Sequence, residues 1–331
     1  MQNLSANSIV FHYSFLTFCR CFAIIISKWG VRMEYISVAA AANKWSLSER
    51  SVRKYCAIGK IPGAVLAGKT WKIPANAVKP ARINARKTEQ PTLLAILQEE
   101  KKAGRTGGIY HKIQIELTYN SNHIEGSRLT HDQTRFIYET NTIGIADGSV
   151  NVDDIVETAN HFRCINMVID DAKSPLSEAF IKRLHFTLKN GTSDSRKDWF
   201  AVGDYKKIPN EVGGMDTATP EEVGDRIKAL LAAYNTKASH SLKEIIAFHY
   251  EFERIHPFQD GNGRVGRLIL FKECLKNDIV PFIIEDDLKM FYYRGLHEWN
   301  NESGYLMDTC LTAQDRFKVY LDYFRIPYPT E

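Results

Sequence analysis

From residue 92 onward, apolar positions recur at spacings of three and four, and that rhythm predicts a chain built mainly from helices. Leu93, Leu94, Ile96 and Leu97 open it with a short helix. Ile109, Ile113, Leu117 and Ile124 stripe one face of a helix over 109–126, with Gly126 suited to its C-terminal cap. Helices are also predicted over 130–139, 153–169, 177–188, 219–235, 241–255, 264–276 and 304–324. Ile155, Ala159, Phe162, Ile165, Asn166 and Ile169 form the inner face of the second of these; Ile181, Leu184 and Leu188 do so in the next, with His185 beside them as a core histidine. Leu306, Leu311, Phe317, Tyr320, Leu321 and Phe324 line the last. Residues 196–213 break the rhythm: aromatic and β-branched residues around Gly203 and Asp204 predict a β-hairpin.

Residues 34–77 follow a different pattern. Val38 to Trp45 suits a short helix, residues 46–48 a turn, and Ser46 with Glu49 a capping box. Residues 48–57 suit a second helix, with Val52 and Cys56 inward and Arg50, Arg53 and Lys54 outward. Residues 59–73 read as a hairpin turning at Ala67, Gly68 and Lys69. Residues 78–91 carry two prolines and no helical period, and read as a linker. Residues 1–33 hold an apolar stretch from Ile9 to Ile26 that contains His12 and Arg20 and lacks a preceding basic region. It is a poor signal peptide and a poor membrane span. The preferred reading is that translation starts at Met33, with a membrane anchor or a folded extension as alternatives.

The 331 residues are 44% apolar and 25% charged, ordinary for a soluble globular protein. The net charge of +4 is unevenly spread. Residues 44–90 hold eleven Lys/Arg against two acids, a net of +9, whereas residues 91–331 come to −7. A basic module on an acidic body points to a polyanionic partner for the module, against the simpler reading of a solvated charged face. The six cysteines (Cys19, Cys21, Cys56, Cys164, Cys274, Cys310) show no metal-binding spacing and read as free thiols of a cytoplasmic protein.

Chemistry concentrates in residues 256–267. His256 titrates near neutrality. Asp260 suits a hard cation such as Mg²⁺. Gly261, Asn262 and Gly263 free backbone N–H groups to face an anion. Arg264 and Arg267 share one helical face. A Gly-Asn-Gly loop alone is usually a turn; one that also carries a base, an acid and two arginines at a helix start is a phosphate site.

This stretch, His-Pro-Phe-Gln-Asp-Gly-Asn-Gly-Arg-Val-Gly-Arg, resembles the signature of the Fic (Fido) family, with every constant position present, and flanking features extend the likeness over about residues 92–325. The resemblance implies a mainly α fold, an all-helical Fic core over 175–325 with a short β-hairpin flap, preceded by helices over 92–174. It implies a protein adenylyltransferase that moves AMP from ATP to a Ser, Thr or Tyr hydroxyl of a target protein or of itself. His256 would be the base, Asp260 the Mg²⁺ ligand, Arg264 and Arg267 the β- and γ-phosphate ligands, and Tyr292, Tyr293 and Asn300 the adenine pocket. Both tyrosines also read as core aromatics. Lys207, Ile208 and Pro209 would form the flap edge that clamps an extended target segment. Gly263 stands where the related Doc toxins have lysine and transfer phosphate, which favours nucleotidyl transfer. Residues 121–126 resemble the family's inhibitory motif, so Ser121 and Glu125 would engage Arg267 and block the γ-phosphate; in some members this glutamate also serves removal of AMP. Residues 34–77 resemble the small winged helix-turn-helix of excisionases and the MerR group, which implies duplex DNA contact through Arg50, Arg53 and Lys54, with Lys69 and Lys72 on the wing. The competing class is a DNA-binding regulator whose Fic body senses nucleotide. Homodimers are common in the family, and no stable membrane partner is expected.

Overall fold

The computed structural model describes residues 34–80, 91–145, 149–213 and 215–329. The expectations for residues 1–33, with Cys19 and Cys21, lie outside the described residues, as does most of the 78–91 linker. The described residues form two compact units, 34–80 and 91–329.

The first unit holds β1 (Tyr35–Ser37), α1 (Val38–Trp45), α2 (Glu49–Ala57), β2 (Val65–Ala67) and β3 (Thr70–Pro74). The strands pair antiparallel in the order β1-β3-β2. Ala67 faces Thr70 across a two-residue turn, where Gly68 supplies the positive φ that such turns need. Val38, Ala41, Trp45, Val52, Cys56, Ile61 and Ile73 form the core. One sequence expectation is corrected: the cap of α2 is Ser48, whose hydroxyl accepts from the Ser51 N–H at 3.2 Å. Ser46 is instead the left-handed C-cap of α1, with its N–H turned back to the Ala42 and Asn43 carbonyls.

The second unit is mainly helical: α3 (Leu93–Ala103), α4 (Ile109–Ile124), α5 (His131–Thr140), α6 (Val152–Asp170), α7 (Glu178–Lys189), α8 (Pro220–Tyr234), α9 (Leu242–Ile255), α10 (Asn262–Lys276), α11 (Lys289–Glu298) and α12 (Gly304–Phe324). Helix α10 runs through the middle and is buried along nearly its whole length, so it has no outward polar face: Asn262, Arg264, Arg267, Lys272 and Glu273 are buried along with its apolar residues. Its neighbours α6, α7 and α9 pack a core of Ile165, Leu184, Phe252, Phe258, Val265 and Leu268 against it. Each such side chain taken from water contributes about 1.5–3 kcal/mol. Leu311 was expected in the inner face of α12 but is 37% exposed. The next turn buries Ala313, Gln314 and Phe317 in its place, which leaves Leu311 on the outer face.

The hairpin forms later than the sequence pattern placed it. Strands β4 (Glu211–Val212) and β5 (Met215–Asp216) pair antiparallel, eight residues past Gly203. Residues 200–210 turn instead, because their polar groups are engaged elsewhere. The Gly203 N–H donates to His185, the Lys206 N–H donates to Pro257, and Pro209 has no N–H to give. No helix among the described residues is long and apolar enough to cross a membrane. Cys56, Cys164, Cys274 and Cys310 are buried free thiols.

Candidate active site

Helix α9 starts on a capping box of Ser241 and Glu244 and stops at His256, which adopts a left-handed backbone at φ 51°. A non-glycine residue with positive φ is uncommon. Here it turns the imidazole out of the helix while the His256 N–H still closes the last turn on Phe252. Gly261, at φ 82°, caps the start of α10. Between them the loop is pinned from within. Phe258 is fully buried and stacks on His185 with ring centroids 3.9 Å apart. His185 in turn accepts from the Gly203 N–H and meets the Asp260 carbonyl at 3.1 Å. The Asn262 side chain bonds both backbone groups of Phe258 at 2.8 Å. That side chain therefore braces the loop, leaving backbone N–H groups at the α10 terminus to meet an anion.

Beside the loop lies a cavity of about 470 Å³, lined among others by Glu125, Glu253, His256, Gly263, Arg267, Tyr292 and Tyr293. Burial, helped by the nearby Lys206 ammonium, pushes the His256 pKa down to about 4. The ring is thus neutral at physiological pH and can accept a proton.

Arg267 is 5% exposed and closely held. Its Nε donates to Ser121 Oγ at 3.0 Å, and its NH2 donates to the Ser121 carbonyl at 2.8 Å and to Glu125 Oε1 at 2.7 Å. Tyr292 lies under the guanidinium, with its hydroxyl 2.7 Å from His249. The Arg267 NH1 group has no hydrogen-bond partner among the described residues. Gly263 is what lets Glu125 come so close: a Cβ there would stand 2.3 Å from Glu125 Oε1.

Arg264 is buried too, and it is paired with Glu157 and with Asp260, the latter at 3.0 Å. The Asp260 side chain is about half exposed. Burial raises its pKa, but Arg264 and Lys189 outweigh that and hold the carboxyl well below its usual range.

The structure brings together His256, Asp260, the Gly261–Gly263 turn, Arg264, Arg267, Glu125, Ser121 and the two tyrosines. Tyr293 is 38% exposed at the cavity and donates to the Ile124 carbonyl. Asn300 is exposed in the turn after α11 and does not line the cavity. Lys207, Ile208 and Pro209 are exposed but precede the hairpin; Glu211, Val212 and Gly213 are its cavity-lining residues. Four residues to which the sequence assigns no role at the site touch it: Glu157, Lys189, Lys206 and Glu253. Glu253 stands one helical turn before His256, and Lys189 four residues after His185, which are weak signals. Glu157 is 107 residues from Arg264, so no local pattern could reveal it.

The loop and its helices match a known family. Residues 175–273 match the Fic/DOC family. The Fic/DOC likeness extends to a protein of Drosophila grimshawi named "Protein adenylyltransferase Fic", 27% identical over 210 residues, covering 61% of this chain and 39% of that protein. The protein of the same name from Drosophila mojavensis is 28% identical over 208 residues, covering 60% of this chain and 38% of that protein. The chain thus spans less than two fifths of the length of these relatives. Among solved structures, a Fic domain containing signaling protein from Bacteroides thetaiotaomicron superposes with a TM-score of 0.53 at 27% identity, covering 70% of this chain and 90% of that one. Fic-1 from C. elegans gives a TM-score of 0.54 at 17% identity, covering 70% and 72%, which speaks to the fold.

Proposed function

We propose that the chain is a protein adenylyltransferase, moving AMP from ATP to a hydroxyl of a protein, and that Glu125 holds it in check. The observation that carries this is one cavity shared by a neutral imidazole, a glycine-rich helix start and a buried arginine that a carboxylate already occupies. His256 accepts the proton of the hydroxyl as its oxygen attacks the α-phosphorus of ATP and the bond to the β-phosphate breaks, releasing pyrophosphate; the base is worth about 10²–10⁴-fold. The N–H groups at Gly261–Gly263 hold the phosphates. Arg267, with its NH1 unsatisfied, takes the γ-phosphate once Glu125 leaves, and its planar fork suits that role. For Mg²⁺ the donor fits: Asp260 is an ionised, half-exposed carboxylate at the phosphate turn. The ion would offset phosphate charge. Glu211–Gly213 takes over the place assigned to Lys207, Ile208 and Pro209 as the edge over which a target segment lies. Tyr293 faces the base, and Asn300 reaches it only if its turn moves.

The test is transfer of label from ATP. Glu125→Gly raises automodification roughly tenfold or more, the change that ~1.4 kcal/mol of lost competition gives. Adding His256→Ala abolishes the label. Unchanged labelling in Glu125→Gly would refute the inhibitory role, and label that survives His256→Ala would refute the base.

A second reading concerns residues 34–80, for which duplex DNA is the proposed partner. Arg50, Arg53 and Lys54 are all exposed on α2, and Lys69 and Lys72 stand on the hairpin beside it.

A further inference from the structure

Beneath the loop, four side chains close a ring of alternating charge. Lys189 and Arg264 each donate to one oxygen of Glu157. Both also reach Asp260 Oδ2, at 2.7 Å from Lys189 and 3.0 Å from Arg264. Lys189 is 2% exposed and makes a further contact, 2.8 Å, with Asp194. Oxygens of Glu157, Asp194 and Asp260 lie within 4.8 Å of one another. Oxygen donors so arranged are what a divalent cation takes. An ammonium stands among them instead. Burial pushes the Lys189 pKa down, but Asp260 and Glu157 outweigh it, so the group keeps its charge.

We propose that Lys189 is a positioning residue whose ammonium fills this carboxylate cluster and engages one oxygen of Asp260, so that a divalent cation binds only in company with nucleotide. This rests on the reading that Asp260 serves the metal that accompanies ATP. With Oδ2 engaged, the bare protein offers a cation too few oxygens, and the phosphates must supply the rest. The ring also aims Asp260 and Arg264 at the loop before any ligand arrives. A ring of buried ion pairs is a poor source of net stability, since desolvation offsets most of the attraction. Its worth therefore lies in placing charges.

The experiment is a nucleotide-free Mn²⁺ titration of the full chain, followed by the electron paramagnetic resonance signal of free Mn²⁺. Lys189→Met binds Mn²⁺ roughly tenfold or more tightly than the wild type, the scale on which groups around a metal site act. Lys189→Arg, which restores the cation, behaves as the wild type, and adding Glu157→Gln to Lys189→Met removes the gain. A merely structural lysine would change melting temperature and leave Mn²⁺ affinity alone. Affinity in Lys189→Met that stays close to the wild-type value overturns the proposal. If that variant does not fold, Asp260→Asn decides: nucleotide-free Mn²⁺ binding unaltered by Asp260→Asn supports the proposal, and a tight wild-type site lost in Asp260→Asn overturns it. None of these readings uses AMP transfer, so they stand or fall apart from the labelling experiment.

Discussion

Gly263 carries two requirements at once. It sits in the first turn of α10, where the phosphates are proposed to bind, and it leaves room for Glu125. A Cβ at this position would lie 2.3 Å from Glu125 Oε1 and 2.9 Å from Arg267 NH1. Both are ends of flexible side chains, so the glutamate gives way before the backbone does. Gly263→Ala is therefore expected to loosen the Glu125–Arg267 pair and raise automodification toward the Glu125→Gly level, with a loss of stability below ~1 kcal/mol. Labelling with ATP beside a thermal melt checks this; a stable variant with unchanged labelling would contradict it. Glu253 makes a separate prediction. Burial raises its carboxyl pKa from 4.5 to about 8. The folded protein then binds this proton more tightly than the unfolded chain. The stability it contributes is complete below pH 4.5 and is lost as pH rises through about 8. Melting temperature should fall across that window, and Glu253→Gln should flatten the fall; equal slopes in both proteins would exclude Glu253 as its source. The charged and polar groups of 256–267 are legible in the sequence because they are contiguous. It could not show Glu157 or Lys189, whose roles depend on helices that meet only in the folded chain.

Among the elements, α4 is held by polar groups as much as by apolar ones. Gln114, Thr118 and Asn122 recur at four-residue spacing on one face. They meet Asn166, His161 and Thr158 of α6 at 2.9, 2.9 and 3.1 Å. The same helix α6 sends Glu157 to Arg264, so the helix that Glu125 caps and the counter-charge of Arg264 share one support. The apolar stripe predicted α4 well, since Ile109, Ile113, Leu117 and Ile124 are all buried. The polar face was not legible, because a buried Gln or Thr looks like a surface residue until its partner is known. The hairpin was misplaced for a related reason: β-propensity near Gly203 was overridden by tertiary hydrogen bonds. Close helix contact sets another prediction. At Gly295 on α11 a Cβ would come within 2.6 Å of the Leu306 Cα, which is backbone and cannot swing aside. Gly295→Ala should destabilise the second unit by about 1–3 kcal/mol through overpacking, despite the better helix propensity of alanine. Urea unfolding measures this, and a neutral or stabilising outcome would mean that α11 and α12 can separate freely.

At the scale of the molecule, charge divides the chain more sharply than hydropathy does. Residues 44–90 carry a net of +9, and residues 91–331 a net of −7. An acidic body repels a polyanion, so any affinity for nucleic acid must come from the basic stretch and must be electrostatic in character. In the first unit the core side chains Val52 and Cys56 point inward and leave Arg50, Arg53 and Lys54 on the outer face of α2. Arg53 is partly engaged by Glu49 at 2.9 Å, an exposed pair that costs little to break. Duplex binding by the full chain should therefore weaken linearly in log affinity against log salt, by about 0.9 in slope for each phosphate neutralised. Replacing Arg50, Arg53 and Lys54 together by alanine should lower that slope by roughly two to three contacts while leaving AMP labelling unchanged, since these residues lie outside the second unit. Fluorescence anisotropy on a pool of duplex fragments at several salt concentrations makes the measurement. An unchanged slope would move the contact to the wing lysines, Lys69 and Lys72. Binding indifferent to salt, or none at low salt, would leave the basic face to a protein partner, whose acidic surface would then have to account for the same charge.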